Sequence, residues 1–183
     1  MRGLKRLLGL GGAAPELRVL MVCSGNICRS PTAEGVLRAK LERAGLAGRI
    51  AVDSAGTQGL HAKEAPDPRA QAQARKRGYD LSRLRARKMT DEDFGRHQRI
   101  FAMDEGHLGW LQDKAPAHAR ARLELLMTHA RQHRDRQVVP DPYYGSERDF
   151  ELVLDLVEDA CDGLVLDLGR ELGRAEHGGA DKA

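Results

Sequence analysis

The sequence predicts an α/β fold, in which a single domain holds a four-stranded parallel sheet with helices on both faces. Two observations support this prediction. Short apolar runs of strand length alternate with longer segments in which apolar residues recur at helical spacing. The chain has 183 residues, 41% of them hydrophobic, which is enough for one sizeable core. The sequence contains no internal repeat and no linker that would divide it.

Four segments have the length and composition of buried strands, and the first of them is the longest apolar, partly β-branched run. They are residues 17–22, 50–52, 100–103 and 123–127. Parallel strands need a crossover, and the intervening segments are long enough to supply a helix each time. We therefore expect strand and helix to alternate along the chain.

Residue patterns typical of helices mark three segments of the chain. Pro31 suits a first helical position, because its missing N–H is no loss there. Asp67 followed by Pro68 predicts the start of the second helix, and Gly78 its end. The last helix is the clearest, because one apolar stripe runs along it: Phe150, Val153, Leu154, Val157, Cys161, Leu164, Val165 and Leu168. Cys161 is accordingly expected to be a core residue.

Composition excludes several classes of protein. Mean hydropathy is −0.52 and no apolar run reaches 18 residues, which argues against a stable membrane span. A net charge of +3 is too small and dispersed to indicate nucleic acid binding. Three cysteines without paired spacing form no disulfide framework, so a reducing compartment, the cytoplasm, is expected. No metal-ligand cluster is evident, and we expect no metal and no cofactor.

The two ends differ from the rest of the chain. Residues 1–16 form a basic, apolar extension that is interrupted by glycine and is expected to be weakly ordered, with targeting or surface contact as the alternative. Residues 17–172 form the domain, and residues 173–183 read as a flexible tail.

The loop after the first strand, residues 23–30, has the composition of an anion-binding turn. Backbone N–H groups in a strand-to-helix turn point inward together, with the positive end of the helix dipole behind them. Gly25 suits such a turn because it carries no steric penalty at positive φ, and Asn26 tolerates the left-handed region. We expect the phosphate-binding loop to comprise Ser24, Gly25, Asn26, Ile27, Cys28 and Ser30.

Cys23 adds reactivity to this loop. The thiolate is the nucleophilic form of cysteine, and helix N-termini and neighbouring cations favour it. Arg29 provides a planar fork that can hold two phosphoryl oxygens at once. The hydroxyl of Ser30 can hydrogen-bond the thiolate sulfur, both as nucleophile and as leaving group.

These residues, 23–31, resemble the signature of the low-molecular-weight protein tyrosine phosphatases. Three later stretches match that family in order: residues 53–57, 101–104 and 139–145. The resemblance extends from about residue 17 to the end of the final helix. It implies hydrolysis of phosphotyrosine in a protein, or of another aryl phosphate, through a phosphocysteine, with inorganic phosphate as product.

Asp141 is the candidate general acid. Expelling a phenolate is slow unless a positioned acid protonates the leaving oxygen, and the same group must later activate water. Asp141 lies between Pro140 and Pro142, which stiffen the loop that carries it. Tyr143 and Tyr144 follow at once and could form a wall for an aromatic substrate. The alternative is an ordinary Asp-Pro turn followed by surface aromatics.

Other positions depend on the alignment with the family. Leu60 stands where many members have an aromatic residue, so one wall of the cleft is expected to be aliphatic. Leu84 stands where members have a loop-supporting histidine, which puts in doubt any polar network beyond Asn26 and Ser54. The resemblance implies that Cys28 can trap oxidised Cys23 as a disulfide; the alternative is a small packing residue. Four histidines belong to no motif and are expected at the surface or in packing roles: His61, His107, His129 and His133.

Two other functions compete with phosphatase activity. Related arsenate reductases share the anion loop but need two further cysteines to relay a disulfide, and the middle of this chain has none. A non-catalytic phospho-ligand binding module would be expected to lack the nucleophile or the acid. A related class that removes phosphate from arginine carries Thr at the position of Ile27, where a bulkier apolar residue favours an aryl substrate.

Overall fold

The sheet has four parallel strands in the order β2-β1-β3-β4, in a computed structural model that describes residues 14–180. The strands are β1 (Leu17–Cys23), β2 (Ile50–Gly56), β3 (Arg99–Ala102) and β4 (Arg122–Leu125). β1 occupies the interior of the sheet, paired with β2 on one side and β3 on the other. This confirms the predicted single-domain α/β fold with a parallel sheet.

Helices cover both faces of the sheet. Side chains of β1 alternate between two apolar clusters, as the period of two along a strand requires. The helices α1 (Arg29–Arg43), α2 (Pro68–Lys76) and α5 (Glu147–Ala180) contribute to the larger cluster. The helices α3 (Asp91–Arg96) and α4 (Glu105–Lys114) contribute to the smaller one on the opposite face.

Helix α1 begins at Arg29, two residues earlier than the position of Pro31 suggested. Pro31 is therefore the third helical residue. The position is still tolerated, because the first four N–H groups of a helix have no partner within it. The earlier start places Arg29 itself in the first turn, directly after the anion-binding loop.

One short helix and the end of the fourth strand also differ from expectation. Helix α3 was not expected, although Thr90 and Asp93 form a capping box at its start. The fourth strand ends at Leu125, and a 3₁₀ turn occupies Leu126–His129, where the sequence suggested a continuing strand. Both differences involve short elements whose apolar side chains also suit a strand or a loop.

Helix α2 has the predicted ends. The side chain of Asp67 caps its N-terminus by accepting a hydrogen bond from Arg69 N, and Gly78 adopts a φ of 83° just after it. The main chain of Asp67 also donates to Ile27 O at 2.8 Å. This bond ties the start of α2 to the anion-binding loop.

Helix α5 buries its predicted stripe, and Cys161 is fully buried within it. The helix continues to Ala180, so residues 173–180 are helical, and the flexibility expected of the tail from residue 173 stays a prediction. Of the expected N-terminal extension, only residues 14–16 belong to the part described, and residues 1–13 and 181–183 lie outside it. Within residues 14–180, no helix combines the length and apolarity that a membrane span needs.

Candidate active site

The candidate site lies at the carboxyl end of the sheet, where ligands bind in folds of this class. Cys23 is the last residue of β1, and Arg29 is the first residue of α1. The five residues between them form the loop. The central strand and the first helix therefore hold the two ends of the loop in fixed positions.

Asn26 gives the loop its shape. It has a φ of 56°, in the left-handed region, as its residue type suggested. Gly25, by contrast, does not have a positive φ, so the expected reason for this glycine is corrected. A Cβ at Gly25 would lie 3.0 Å from Cδ2 of His61. A larger residue at this position would require the imidazole ring of His61, which packs against the loop, to shift.

The side chain of Asn26 connects the loop to two other segments. Its Nδ2 donates to Ser30 Oγ and to Ser54 Oγ, both at 2.9 Å, and its Oδ1 accepts from the backbone N–H of Arg87, also at 2.9 Å. Ser54 Oγ in turn donates to Glu34 at 2.5 Å. Burial raises the pKa of the Glu34 carboxyl, and the hydrogen bond from Ser54 opposes this shift.

Leu84 therefore does not leave the loop without support. Its side chain packs partly buried against the larger apolar cluster. The polar network extends past Asn26 and Ser54 to Glu34 and to a backbone donor three residues after Leu84. Arg87, which supplies that donor, is itself held by ion pairs with Asp53 and Asp93.

Cys23 lies against the hydroxyl of Ser30, with Sγ and Oγ 3.0 Å apart. Because Asn26 donates to Ser30 Oγ, the proton of that hydroxyl is free to point at the sulfur. Ala55 O, the other acceptor, is farther away at 3.5 Å. The geometry matches a hydroxyl that stabilises a thiolate.

Arg29 is 4% exposed and is held by three acceptors. Nη1 donates to Asp104 Oδ2 at 2.7 Å and to Val139 O at 3.3 Å, and Nη2 donates to Asp141 Oδ2 at 2.9 Å. Two carboxylates thus hold the two ends of one guanidinium. The Asp104 pair is the more buried of the two, since the Asp141 side chain is 53% exposed.

The structure brings Asp141 to the cleft that contains Cys23. The cleft has a volume of about 210 Å³ and is also lined by Ile27, Tyr143 and Tyr144. The two tyrosine rings meet edge to face, with centroids 4.9 Å apart. Tyr144 is almost fully exposed and Tyr143 partly so, and their position at the rim suits contact with a substrate ring.

Leu60 does not form a wall of this cleft, which corrects the expectation for that residue. Its side chain is 80% exposed, and the neighbouring His61 lines the cleft instead. A hydrogen bond of 2.9 Å between His61 Nδ1 and Glu64 Oε2 fixes the ring. In this turn His61 points inward and its neighbour Leu60 points outward. The alignment with the family does not show which of the two side chains faces the cleft.

Cys28 is buried, and it is among the residues that line the same cleft as Cys23. Burial, then the negative charges of Asp67, Cys23 and Asp141, raise the pKa of the Cys28 thiol to about 12. At neutral pH this residue is therefore a thiol. Cys161 is also buried, and burial raises the pKa of its thiol as well.

Several residues of the site have no motif of their own in the sequence. His107 contacts the hydroxyl of Ser24 at 2.8 Å, and Asp104, at the end of the family-like stretch 101–104, holds Arg29. Arg69 donates to Asp67 and to Tyr143 O at 2.9 Å, which joins α2 to the loop that carries Asp141. The one available signal was Asp104 as an N-cap directly after the third strand, which predicts a polar side chain at the carboxyl edge.

Residues 14–180 contain no group of three or more His, Cys, Asp or Glu side chains in a metal-binding arrangement. The polar groups that line the cleft are suited to an anion, since Arg29 and the loop contribute donors.

Comparison with known proteins agrees with this geometry. A family model described as low molecular weight phosphotyrosine protein phosphatase matches residues 18–175. A low molecular weight protein-tyrosine-phosphatase of Streptomyces coelicolor is 43% identical over 150 residues, which cover 81% of this chain and 91% of the relative. The human low molecular weight phosphotyrosine protein phosphatase is 39% identical over 137 residues, covering 74% of this chain and 85% of the relative.

A solved structure shows the same fold. The protein tyrosine phosphatase of Entamoeba histolytica, with Hepes in its active site, superposes with a TM-score of 0.81 at 34% sequence identity, covering 85% of this chain and 98% of that one. The resemblance seen in the loop signature thus holds along the length of the domain. The chain belongs to the low molecular weight phosphotyrosine protein phosphatase family.

Proposed function

We propose that this chain hydrolyses phosphotyrosine in proteins, and other aryl phosphate monoesters, through a phosphocysteine on Cys23. One observation carries the proposal: a thiol, a buried guanidinium and a carboxyl converge on one small cleft. These are Cys23, Arg29 and Asp141. A phosphorylated substrate is what the family implies, and the aryl class follows from the apolar and aromatic lining of the cleft.

In the first step the Cys23 thiolate attacks phosphorus, and the bond to the leaving oxygen breaks. The phosphoryl oxygens lie in the loop and against Arg29. A phosphoryl group entering the cleft replaces Asp141 at Nη2 of Arg29, while Asp104 keeps its hold on Nη1. Asp141, released from this pair, takes up a proton from solvent and donates it to the leaving phenolate.

In the second step Asp141 acts as a base. It takes a proton from water, the water oxygen attacks phosphorus, and the Cys23 thiolate leaves. Ser30 stabilises that thiolate across the 3.0 Å contact. The products are the phenol and inorganic phosphate, and no bound metal takes part.

The cleft lining favours an aryl group as the leaving group. Ile27 offers an apolar surface at the base, and the tyrosine pair forms the rim. Aromatic side chains of this kind stack with or enclose a substrate ring. An alkyl or guanidino phosphate would leave these surfaces poorly covered.

A relay of the kind used by arsenate reductases has no support in the structure. The chain has three cysteines, and Cys161 is fully buried in α5. It therefore has no access to the cleft as a relay thiol. A reducing environment is still required, because Cys23 must remain a thiol to react, and we place the protein in the cytoplasm for that reason.

Rapid acid quench with radiolabelled aryl phosphate tests the proposal. We expect label bound covalently to Cys23 within one turnover, and steady hydrolysis of p-nitrophenyl phosphate in the presence of a chelator. Peptide mapping after quench identifies the labelled residue. Turnover without label on Cys23, or loss of activity with the chelator, would contradict the mechanism.

Cys28 is proposed to protect the nucleophile from irreversible oxidation. Hydrogen peroxide converts the Cys23 thiolate to a sulfenic acid. Attack by Cys28 sulfur then forms the S–S bond and breaks the S–O bond, and the hydroxyl leaves as water with the thiol proton. Both cysteines line the same small cleft, which places the two side chains in one site.

The Cys28→Ser variant tests this role. After brief treatment with peroxide near stoichiometric amounts, dithiothreitol is expected to restore most activity in the parent protein and little in the variant. Because the pKa of Cys28 is raised to about 12, few of these thiols are ionised, and we expect the disulfide to form slowly. Equal recovery in both proteins would show that Cys28 is a packing residue.

A further inference from the structure

A chain of polar contacts joins the two ends of the phosphate-binding loop on the side facing α4. Ser24 Oγ lies 2.8 Å from Nε2 of His107, and Nδ1 of the same ring lies 2.8 Å from Asp104 Oδ1. The other oxygen of Asp104 accepts from Arg29 at 2.7 Å. The contacts thus run from the residue after the nucleophile to the arginine that closes the loop.

His107 is buried in the first turn of α4, with 6% of its surface exposed. Its backbone N–H also donates to Asp104 Oδ1, at 2.9 Å, as expected for a residue three places after an N-cap. Asp104 Oδ1 therefore faces both the backbone N–H and the imidazole ring of His107. Burial opposes ionisation of Asp104, but contacts with His107 and then Arg29 outweigh it and hold the pKa of Asp104 well below its usual range.

The carboxylate fixes which ring nitrogen carries the proton. Asp104 attracts a proton on Nδ1 by its charge, and with the proton there Nε2 presents a lone pair that can accept from the Ser24 hydroxyl. The order of groups is that of a serine hydrolase triad. The Ser24–His107–Asp104 contacts differ from such a triad in two respects. Asp104 is shared with Arg29, and Nδ1 of His107 makes no well-aligned hydrogen bond.

We propose that His107 is a positioning residue, which fixes Ser24 and, through Asp104, the guanidinium of Arg29 for phosphoryl transfer. The inference rests on the proposed phosphatase function. Without the imidazole, Asp104 keeps only the backbone donor at Oδ1, and the Ser24 hydroxyl loses its acceptor. Arg29 then holds the phosphoryl oxygens in a less defined orientation, which matters most as charge redistributes in the transition state.

Two variants of His107 separate polar contact from packing. His107→Leu removes both ring nitrogens at similar volume, whereas His107→Gln retains a side-chain amide that can reach Ser24 or Asp104. With p-nitrophenyl phosphate we expect kcat of His107→Leu to fall about ten-fold, the upper end of the net contribution of an ordinary hydrogen bond, with a smaller change in KM. His107→Gln is expected to recover part of this loss.

A double-variant cycle with Ser24→Ala tests whether the two residues act together. If His107 acts through Ser24, the double variant is expected to be little worse than His107→Leu alone. The matched control is His133→Gln, because Nδ1 of His133 also faces a carboxylate, Asp159 at 3.1 Å, but does not line the cleft. Its kinetics are expected to equal those of the parent.

Binding of inorganic phosphate gives a readout that does not depend on turnover. In a Cys23→Ser background, calorimetry is expected to show weaker phosphate binding when His107→Leu is added. Unchanged kcat and phosphate affinity would overturn the inference, as would equal losses in both His107 variants combined with an additive effect of Ser24→Ala. A parent protein without phosphatase activity would instead refute the proposed function, and the binding measurement would still decide the role of His107.

Discussion

Cys23→Ser is expected to abolish hydrolysis of aryl phosphates, with kcat lower by several orders of magnitude, as nucleophile removal produces in other enzymes that act through a covalent intermediate. A serine hydroxyl is of similar size but is hardly ionised near neutral pH, so it cannot replace the thiolate. The loop and Arg29 are unaltered by this change. We therefore expect phosphate to bind the variant, and no label to remain on protein after acid quench.

Cys161→Ala is the matched control for this prediction. Its thiol is fully buried in α5, away from the cleft, so the change is expected to lower stability modestly and leave kcat near the parent value. Steady-state kinetics and a thermal unfolding curve for both variants separate the two effects. Residual turnover by Cys23→Ser would show that another group attacks phosphorus.

Asp141→Asn is expected to have an effect that grows with the basicity of the leaving group. Asparagine can keep a hydrogen bond to Nη2 of Arg29 through its amide oxygen but has no proton to transfer as an acid. For substrates with a basic phenol, kcat/KM is expected to fall roughly 10²–10⁴-fold, the usual contribution of general acid catalysis. For p-nitrophenyl phosphate, whose leaving group needs little protonation, the loss is expected to be much smaller.

A series of substituted phenyl phosphates measures this dependence. The slope of log kcat/KM against the pKa of the phenol is expected to be shallow for the parent and steep for the variant. Asp135→Asn is the control, because its side chain is 82% exposed and forms only a 4.0 Å ion pair with Arg136. Parallel slopes for parent and Asp141→Asn would show that the acid is a different residue.

The parts of the fold that could be predicted are those in which local pattern and tertiary structure agree. The apolar run of β1, the stripe of α5 and the cap at Asp67 each indicated the element that the structure contains. Helix α3 was missed because its six residues carry too short a pattern, although Thr90 and Asp93 form a recognisable capping box. The 3₁₀ turn after β4 has apolar residues that read equally well as a strand.

The candidate site divides in the same way, into residues that a local pattern predicts and residues that it does not. Residues 23–30 could be predicted as an anion site because each suits a turn at a helix start. Asp141 could be predicted as the acid only together with Cys23 and the family resemblance, because an Asp-Pro pair alone indicates a turn. Partners that approach from distant segments left no signal: Arg87 supports Asn26 through its backbone, and His107 reaches Ser24 across 83 positions of sequence. A single residue in a turn, such as Leu60, cannot be placed inward or outward by its neighbours in sequence.

The bonds of Asn26 have a thermodynamic consequence for ligand binding. They hold its left-handed backbone from β2 and from the segment before α3, so contacts within the protein itself restrain the conformation of the loop. The conformational entropy of the loop is lost when the protein folds, and binding incurs little further ordering cost. Association with phosphate should accordingly be a rapid single step governed by diffusion and charge, without a slow phase from loop rearrangement.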